Sequence, residues 1–235
     1  PYIFMPHDPY VPALMRHKAI RKGLYWSLFE KPLIEGARAV QLLDERHEAP
    51  LRALGIRVPV FAVPNGCDPS MLDEPGLALT EPGSAERVKV QYLGRMDRNH
   101  KGLDLLIEGF AKFLVSGGIE ATVFDLVLTG NDWEDRASLG KLVAKHDIGD
   151  RVCFTGPREE SSLQIQGEAD LVILPSRFDG FGLTIMEAML AARPVLVSKT
   201  AGVSAHVGCA GGGLISDPEP TAIAEALERA ATCRS

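Results

Sequence analysis

Residues 175–194, PSRFDGFGLTIMEAMLAARP, hold the densest set of groups able to do chemistry in this chain. Asp179 and Glu187 are separated by seven residues, with Gly180 and Gly182 following the first of them. Just upstream, the apolar run Asp170–Leu174 reads as a buried parallel strand. The glycines predict a loop, and the stretch from Gly182 predicts a helix that Pro194 ends. A strand, a glycine loop and a helix start leave free amides pointing outward, which suits an anion such as a phosphate. The candidate amides are those of Gly182, Leu183 and Thr184. Glu187 lies one to two turns further on. Its neighbours three and four positions away (Leu183, Thr184, Leu190, Ala191) offer no cation. A carboxylate in an apolar helix is costly unless something donates hydrogen bonds to it, as the two hydroxyls of a ribose would. A solvated Glu and a loop Asp remain the plainer alternative.

A second constellation follows the predicted strand Val88–Leu93. Gly94-Arg95 ends that strand, and His100-Lys101-Gly102 opens the next helix. Open α/β sheets bind ligands at the carboxyl ends of their strands. Two cations six residues apart at such an exit could flank a diphosphate, Arg95 bidentately and Lys101 as a point charge. A solvated charged loop would contain the same residues. His7 ends the first predicted strand, Tyr2–Met5, where an imidazole with a pKa near ~6.5 can donate a hydrogen bond or exchange a proton.

The acidic residue, seven intervening residues and Glu187, with G-F-G-L directly after Asp179, resemble the E-x7-E signature of retaining GT-B glycosyltransferases, glycosyltransferase family 4 in particular. The resemblance implies that Glu187 binds the donor ribose and that Asp179, one methylene shorter than the family's Glu, lies against the donor sugar. G-R followed by K-G-L-D-L-L resembles the segment whose Arg and Lys hold the donor pyrophosphate, here Arg95 and Lys101. By the same resemblance Gly130 lies beside the nucleotide, and Pro157 and Arg158 bracket the base. P-Y-I-F-M-P-H resembles the acceptor-domain strand that ends in an active-site His contacting the transferred sugar; where the family has Gly next, Asp8 and Pro9 stand here. Pro64-Asn65-Gly66-Cys67-Asp68 resembles the P-N-G-x-D that precedes the crossing between domains. The donor site so implied comprises Gly94, Arg95, Lys101, Gly130, Pro157, Arg158, Asp179, Gly180, Phe181, Gly182, Leu183, Thr184 and Glu187. His7, Asp179, Arg95 and Lys101 form the catalytic set.

The elements that must position these residues alternate along the chain. Helices are expected over 13–30, 45–54, 101–116, 133–146, 159–167 and from Pro218, with Pro32 interrupting the first and Asp217 capping the last. Strands are expected at Tyr2–Met5, Ala39–Leu43, Val58–Val63, Val88–Leu93, Thr122–Leu128, Val152–Phe154, Asp170–Leu174 and Val195–Val197. Asp44 caps a helix, Gly55 stops it, and Pro64-Asn65-Gly66 forms a tight turn. Residues 208–213 read as a glycine-rich stretch. The alternation predicts doubly wound parallel sheets. The division expected is 1–68 for the later part of an acceptor-side domain, 69–83 for a Pro/Gly-rich linker and 84–235 for the nucleotide-sugar domain. The fold class is thus α/β, GT-B, with two Rossmann-like domains, the first only partly present.

With 235 residues, 46% of them hydrophobic, the chain can bury a sizeable core, and its net charge of −6 gives no basic field for nucleic acid. Four cysteines without a CxxC pair read as reduced thiols of a cytoplasmic protein. There is no span-length apolar run and no visible signal peptide; the chain does not begin with Met, which reads as a fragment. The absence of a strand–G-x-G-x-x-G–helix disfavours a nicotinamide dehydrogenase, and no P-loop, H-E-x-x-H or G-x-S-x-G occurs. With no Asp-x-Asp motif, no metal and no cofactor are expected. The implied function is metal-independent, retaining transfer of a sugar from a UDP-, GDP- or ADP-linked donor to a saccharide or lipid acceptor, in cell-surface polysaccharide synthesis. Peripheral membrane association is expected through an N-terminal part missing here, and these residues alone are expected to bind nucleotide without transferring sugar. A nucleotide-sugar 2-epimerase of the same architecture and a non-catalytic nucleotide-binding module are the alternatives.

Overall fold

The computed structural model describes residues 1–6, 10, 19–73 and 86–233. His7, Asp8 and Pro9 lie outside the described residues, as do residues 13–18 of the first expected helix and residues 74–83 of the expected linker. The chain groups into two compact units: Pro1–Gly66 with Asp179–Phe181, and Cys67–Phe178 with Gly182–Ser235.

In the first unit, three parallel strands, β1 (Ile3–Phe4), β2 (Ala39–Leu42) and β3 (Val60–Ala62), pair in the order β1-β2-β3. Their core joins Val40 and Leu42 to Trp26, Ile34, Leu51 and Ile56. Pro32 does not interrupt the helical run. Helix Ala19–Tyr25 passes through a π-helical turn, Trp26–Glu30, into helix Lys31–Glu35, and Pro32 falls in the first turn of that last piece, where its missing N–H is tolerated. Asp44 caps as expected, accepting from the Arg46 amide at 2.7 Å. The expected turn at Pro64–Gly66 is absent. The chain turns later, where Asp68 accepts from the amides of Ser70 and Met71 ahead of the 3-10 turn Pro69–Asp73.

The second unit is a six-stranded parallel sheet: β4 (Val88–Leu93), β5 (Phe124–Thr129), β6 (Val152–Gly156), β7 (Leu171–Leu174), β8 (Val195–Ser198) and β9 (Gly213–Ser216). The spatial order is β6-β5-β4-β7-β8-β9. Successive crossovers run one way from β4 to β6 and the other way from β7 to β9. That reversal puts a topological switch point between β4 and β7, and ligand crevices of doubly wound sheets open there, outside the carboxyl ends of the strands. All four residues of β7 and of β8 are buried, as continuous apolar runs in a two-sided sheet require.

Several boundaries differ from the sequence reading. The helix expected over 101–116 is two pieces, Arg98–Lys101 and Leu103–Ser116, separated at Gly102. A short helix Gly118–Ala121 precedes β5. The stretch 208–213, read as only glycine-rich, holds the end of helix Ser204–Ala210 and the first residue of β9, elements whose small residues give weak periodicity. The last helix begins at Pro220 with Glu219 as its cap, two residues beyond the expected start. The Glu187 helix spans Leu183–Leu190 and stops before Pro194. Ala192 takes a left-handed conformation (φ 55°), and the amides of Ala192 and Arg193 donate to the carbonyls of Met189 and Ala188. That closure is the Schellman motif, with Ala where Gly is usual.

Candidate functional site

The exits of β4, β5 and β6 are laced together by backbone. The Gly94 amide donates to the Thr129 carbonyl and the Gly130 amide to the Gly156 carbonyl, both at 3.0 Å. Met96 N–H donates to the Asn131 carbonyl at 2.8 Å, and the Arg98 amide donates to the Asp135 carboxylate at 2.8 Å. Gly130 (φ 141°) has no room for a side chain, because a Cβ there would lie 1.9 Å from the Gly94 carbonyl oxygen. Only glycine permits this approach of two loop backbones. The Tyr92 hydroxyl, on a side chain fully buried under the loop, donates to the Arg95 carbonyl at 2.7 Å.

Arg95 projects from this frame and is exposed. Its guanidinium carbon sits 4.9 Å from the centroid of the Trp133 ring. Lys101 ends the short helix Arg98–Lys101, whose cap is the buried Asp97. The Asp97 carboxylate accepts from the amides of Asn99 and His100, both at 2.9 Å, and from the His100 ring at 2.7 Å. Burial pushes the Asp97 carboxyl up, but these hydrogen bonds outweigh burial and leave it below its ordinary value. Asp97 is therefore an ionised cap that fixes the helix start carrying Lys101.

The loop leaving β7 is fastened from two sides. The hydroxyls of Ser198 and Thr200 both donate to the Ser176 carbonyl at 2.6 Å. The amides of Arg177 and Phe178 donate to the His100 carbonyl at 2.9 and 3.3 Å. The Arg177 guanidinium binds both oxygens of Asp104, at 2.7 and 2.9 Å, and the Arg98 carbonyl at 2.8 Å. Burial raises the Asp104 carboxyl, yet the Arg177 hydrogen bonds prevail and hold it below the usual carboxylate range. Through Arg177 and Asp104, the β7 exit and the segment carrying Lys101 form one framework across the switch point.

Gly182 begins the Glu187 helix with φ 99°, a conformation in which a Cβ would press within 2.9 Å of the Leu174 side chain. The backbone thus turns sharply enough to leave the first-turn amides of Leu183 and Thr184 open at the helix start. Glu187 is half-buried. Burial raises its carboxyl, with the Ser162 hydroxyl as a partial counterweight. Beneath the first turn, the fully buried Gln166 donates to the Thr184 carbonyl at 2.9 Å. Cys67 lies close enough to Glu187 that its thiol is pushed up, first by burial and then by that carboxylate.

The structure therefore brings Gly94, Arg95, Lys101, Gly130, Gly182, Leu183, Thr184 and Glu187 to the carboxyl-end loops and helix starts of one sheet. Asp179, Gly180 and Phe181 group with the first unit. There Asp179 accepts from the Phe181 amide at 3.3 Å. Pro157 is exposed in the loop after β6. Arg158 in the same loop is engaged elsewhere: its guanidinium pairs with Glu160 at 2.6 Å and with both oxygens of Glu168 at 2.8 Å. Glu168 also holds Lys89, near the start of β4, so the Arg158 side chain is directed away from the carboxyl edge. Four contributors escaped the sequence reading: Arg177, Asp104, Trp133 and Gln166. Arg177 and Asp104 pair across 73 positions, and only the fold reveals such a partner. The Trp133 signal was an aromatic among acidic residues in a strand-exit loop. Among the described residues, no group of three or more His, Cys, Asp or Glu converges on a metal-sized space, and no helix is long and apolar enough to cross a membrane.

A doubly wound sheet with cations, glycine turns and a helix start at its switch point has the crevice at which open α/β domains hold their ligands. Residues 87–232 match the family model described as glycosyl transferases group 1. The chain is 33% identical over 135 residues to mannosylfructose-phosphate synthase of Agrobacterium fabrum (strain C58 / ATCC 33970), covering 55% of this chain and 29% of that protein. It is 31% identical over 149 residues to alpha-D-kanosaminyltransferase of Streptomyces kanamyceticus, covering 63% and 37%. Sucrose-phosphate synthase from Thermosynechococcus elongatus superposes with a TM-score of 0.77 at 24% identity, over 99% of this chain and 59% of that one. Anabaena HepE, solved with UDP and glucose, does so with 0.71 at 21%, over 100% and 67%. These likenesses show the GT-B fold. The chain belongs to the group 1 glycosyltransferases. It spans 29% and 37% of the lengths of the two curated relatives.

Proposed function

We propose that the second unit binds a nucleoside-diphosphate sugar and that the protein takes part in retaining transfer of that sugar to a saccharide or lipid-linked acceptor. The observation that supports this reading most directly is the switch point itself. Two loops there, joined to each other by the Arg177–Asp104 pair, carry Arg95 and Lys101 on one side and a helix start on the other. In the reading, the diphosphate lies between these groups. The ribose hydroxyls donate to Glu187, and the base rests against the backbone of Pro157 and Arg158, since the Arg158 guanidinium is held by Glu160 and Glu168.

Transfer breaks the bond from the anomeric carbon to the diphosphate oxygen while an acceptor hydroxyl forms its bond on the same face. The hydroxyl proton passes to the departing diphosphate. Arg95, Lys101 and the amides of Leu183 and Thr184 stabilise the charge that develops there, as fixed donors needing little reorganisation. With that charge met by side chains and amides, the chemistry assigned here uses no metal. Asp179 and His7 are proposed to face the sugar, as the family resemblance implies. The reaction is placed on the cytoplasmic side, where nucleotide sugars are its substrates.

The test compares Arg95→Ala and Lys101→Ala with the wild type. UDP, GDP and ADP are titrated calorimetrically, and the best-bound one is set against its nucleoside. Each substitution is expected to weaken the diphosphate roughly tenfold or more, the size of a charged hydrogen bond, and to leave the nucleoside nearly unchanged. Equal losses for both ligands, or none, would remove the diphosphate role. Transfer from a radiolabelled donor to an acceptor extract then separates transferase from simple binding.

A further inference from the structure

Trp133 is a large aromatic side chain that the reading above leaves without a role, and it is 55% exposed. Its loop, Asn131–Asp135, is locked to the β4 exit by the Met96–Asn131 and Arg98–Asp135 hydrogen bonds and by the Gly94–Gly130 backbone approach. Glu134, just after Trp133, has a left-handed backbone (φ 69°), an uncommon conformation for a non-glycine residue. The indole so placed lies against the Arg95 guanidinium, 4.9 Å from ring centroid to guanidinium carbon. Arg95 forms no side-chain hydrogen bond or ion pair with any described residue, and its guanidinium lies over the ring. Nearby arginines differ: Arg98 and Arg177 bind Asp104, and Arg158 binds Glu160 and Glu168.

We propose that Trp133 is a positioning residue for the donor diphosphate: its ring occupies one face of the Arg95 guanidinium and leaves the in-plane N–H groups for the phosphate oxygens. A guanidinium presents its five donors at its edge, and stacking uses only its face, so the two contacts are compatible. The ring restricts the rotamers of a long side chain before the ligand arrives, which reduces the ordering cost of binding. A carboxylate in the same place would compete with the diphosphate for the same donors; an aromatic ring does not.

This inference rests on the diphosphate role of Arg95, and the experiment separates the two. UDP, GDP and ADP are titrated against wild type, Trp133→Ala, Trp133→Phe, Arg95→Ala and the Arg95→Ala/Trp133→Ala double variant. The best-bound diphosphate is compared with its nucleoside and with inorganic pyrophosphate. Trp133→Ala is expected to weaken the diphosphate and pyrophosphate about two- to fivefold, the size of an exposed cation–π contact, with the nucleoside unchanged. Trp133→Phe should restore most of that loss. In the Arg95→Ala background, Trp133→Ala should have no further effect. A nucleoside loss as large as the diphosphate loss would overturn the proposal and make the ring a base-stacking group. A Trp133→Ala loss that persists without Arg95 would also overturn it. If Arg95→Ala weakens the diphosphate but Trp133→Ala does not, the inference alone falls; if Arg95→Ala is itself silent, the diphosphate reading falls with it.

Discussion

Replacing Glu187 tests the ribose contact with a sign and a magnitude. The carboxylate is half-buried, its pKa is raised by burial, and the Ser162 hydroxyl is the hydrogen-bond donor that opposes the rise. An ionised group in that position gains from two further O–H donors. Each charged hydrogen bond contributes about 1.5–3 kcal/mol, or roughly ten- to a hundredfold in Kd at 1.4 kcal/mol per decade. Glu187→Ala is therefore expected to raise the Kd of the preferred nucleoside diphosphate by at least tenfold. The informative arm uses the 2′,3′-dideoxy analogue. The wild type should bind the analogue about as poorly as Glu187→Ala binds the natural ligand, and Glu187→Ala should bind the two ligands alike. Additive losses in that cycle would show that Glu187 and the ribose hydroxyls do not interact. The pH dependence follows from the same shift. Without ligand, the native state holds more protons than the unfolded state between the ordinary carboxylate pKa and the raised one, so Glu187 lowers stability as pH rises through that window. Hydroxyl donors favour the ionised form, so nucleotide affinity should rise with pH through the same window and level off above it, with proton release on binding. Glu187→Gln should abolish both slopes. Affinity that falls as pH rises there would refute the assignment.

Three further outcomes are expected. Gly130→Ala should cost on the order of 1–3 kcal/mol of stability, from backbone strain where the new Cβ meets the Gly94 carbonyl; a thermal melt matching the wild type would show that the loops separate readily. Asp104→Asn should destabilise the second unit and loosen the β7 exit, because a partly buried bidentate pair worth about 1.5–3 kcal/mol is lost; amide exchange at Arg177 and Phe178 reads the loosening, and unchanged protection would exclude it. Glu168, held by Arg158 and Lys89, has its pKa lowered to about 2, so its stabilisation should be full above the ordinary carboxylate value and lost as pH falls toward 2. An acid-unfolding profile of Arg158→Ala that overlays the wild type would remove that contribution.

What the chain order reveals and what it hides divides along physical lines. The Glu187 helix, the Arg95–Lys101 spacing and the alternation of strands with helices are local, and each was readable from neighbouring residues. The strand order is not local. Parallel partners such as Val90 and Leu171 lie far apart in the chain, and nothing in either segment names its neighbour. The helix Ser204–Ala210 was hidden because Ser, Gly and Ala carry little periodicity, although Val207 is buried. The early end of the Glu187 helix depended on Ala192 accepting a left-handed backbone, against the preference that made Pro194 the expected stop. Arg158 shows what a motif leaves open: the family resemblance assigned it a place beside the base, while its partners, Glu160 and Glu168, were visible only as scattered charges.

The distribution of partners at the switch point bears on why the site is built from so many anchored pieces. Asp97 is buried as a cap, Asp104 binds two arginines, and the Ser176 carbonyl takes two hydroxyls, so these three groups are satisfied within the protein. A framework satisfied in this way keeps its geometry when no ligand is present. Arg95 and the first-turn amides of the Glu187 helix stand apart from it. An exposed guanidinium remains hydrated, so the absence of a carboxylate partner among the described residues carries little penalty in the free protein. In the proposed binding mode, a diphosphate that displaced that water would meet the guanidinium in fixed register, on loops that need not rearrange. The stability of the loops and the availability of the cation are thus carried by different residues, and a substitution in one set should leave the other measurable.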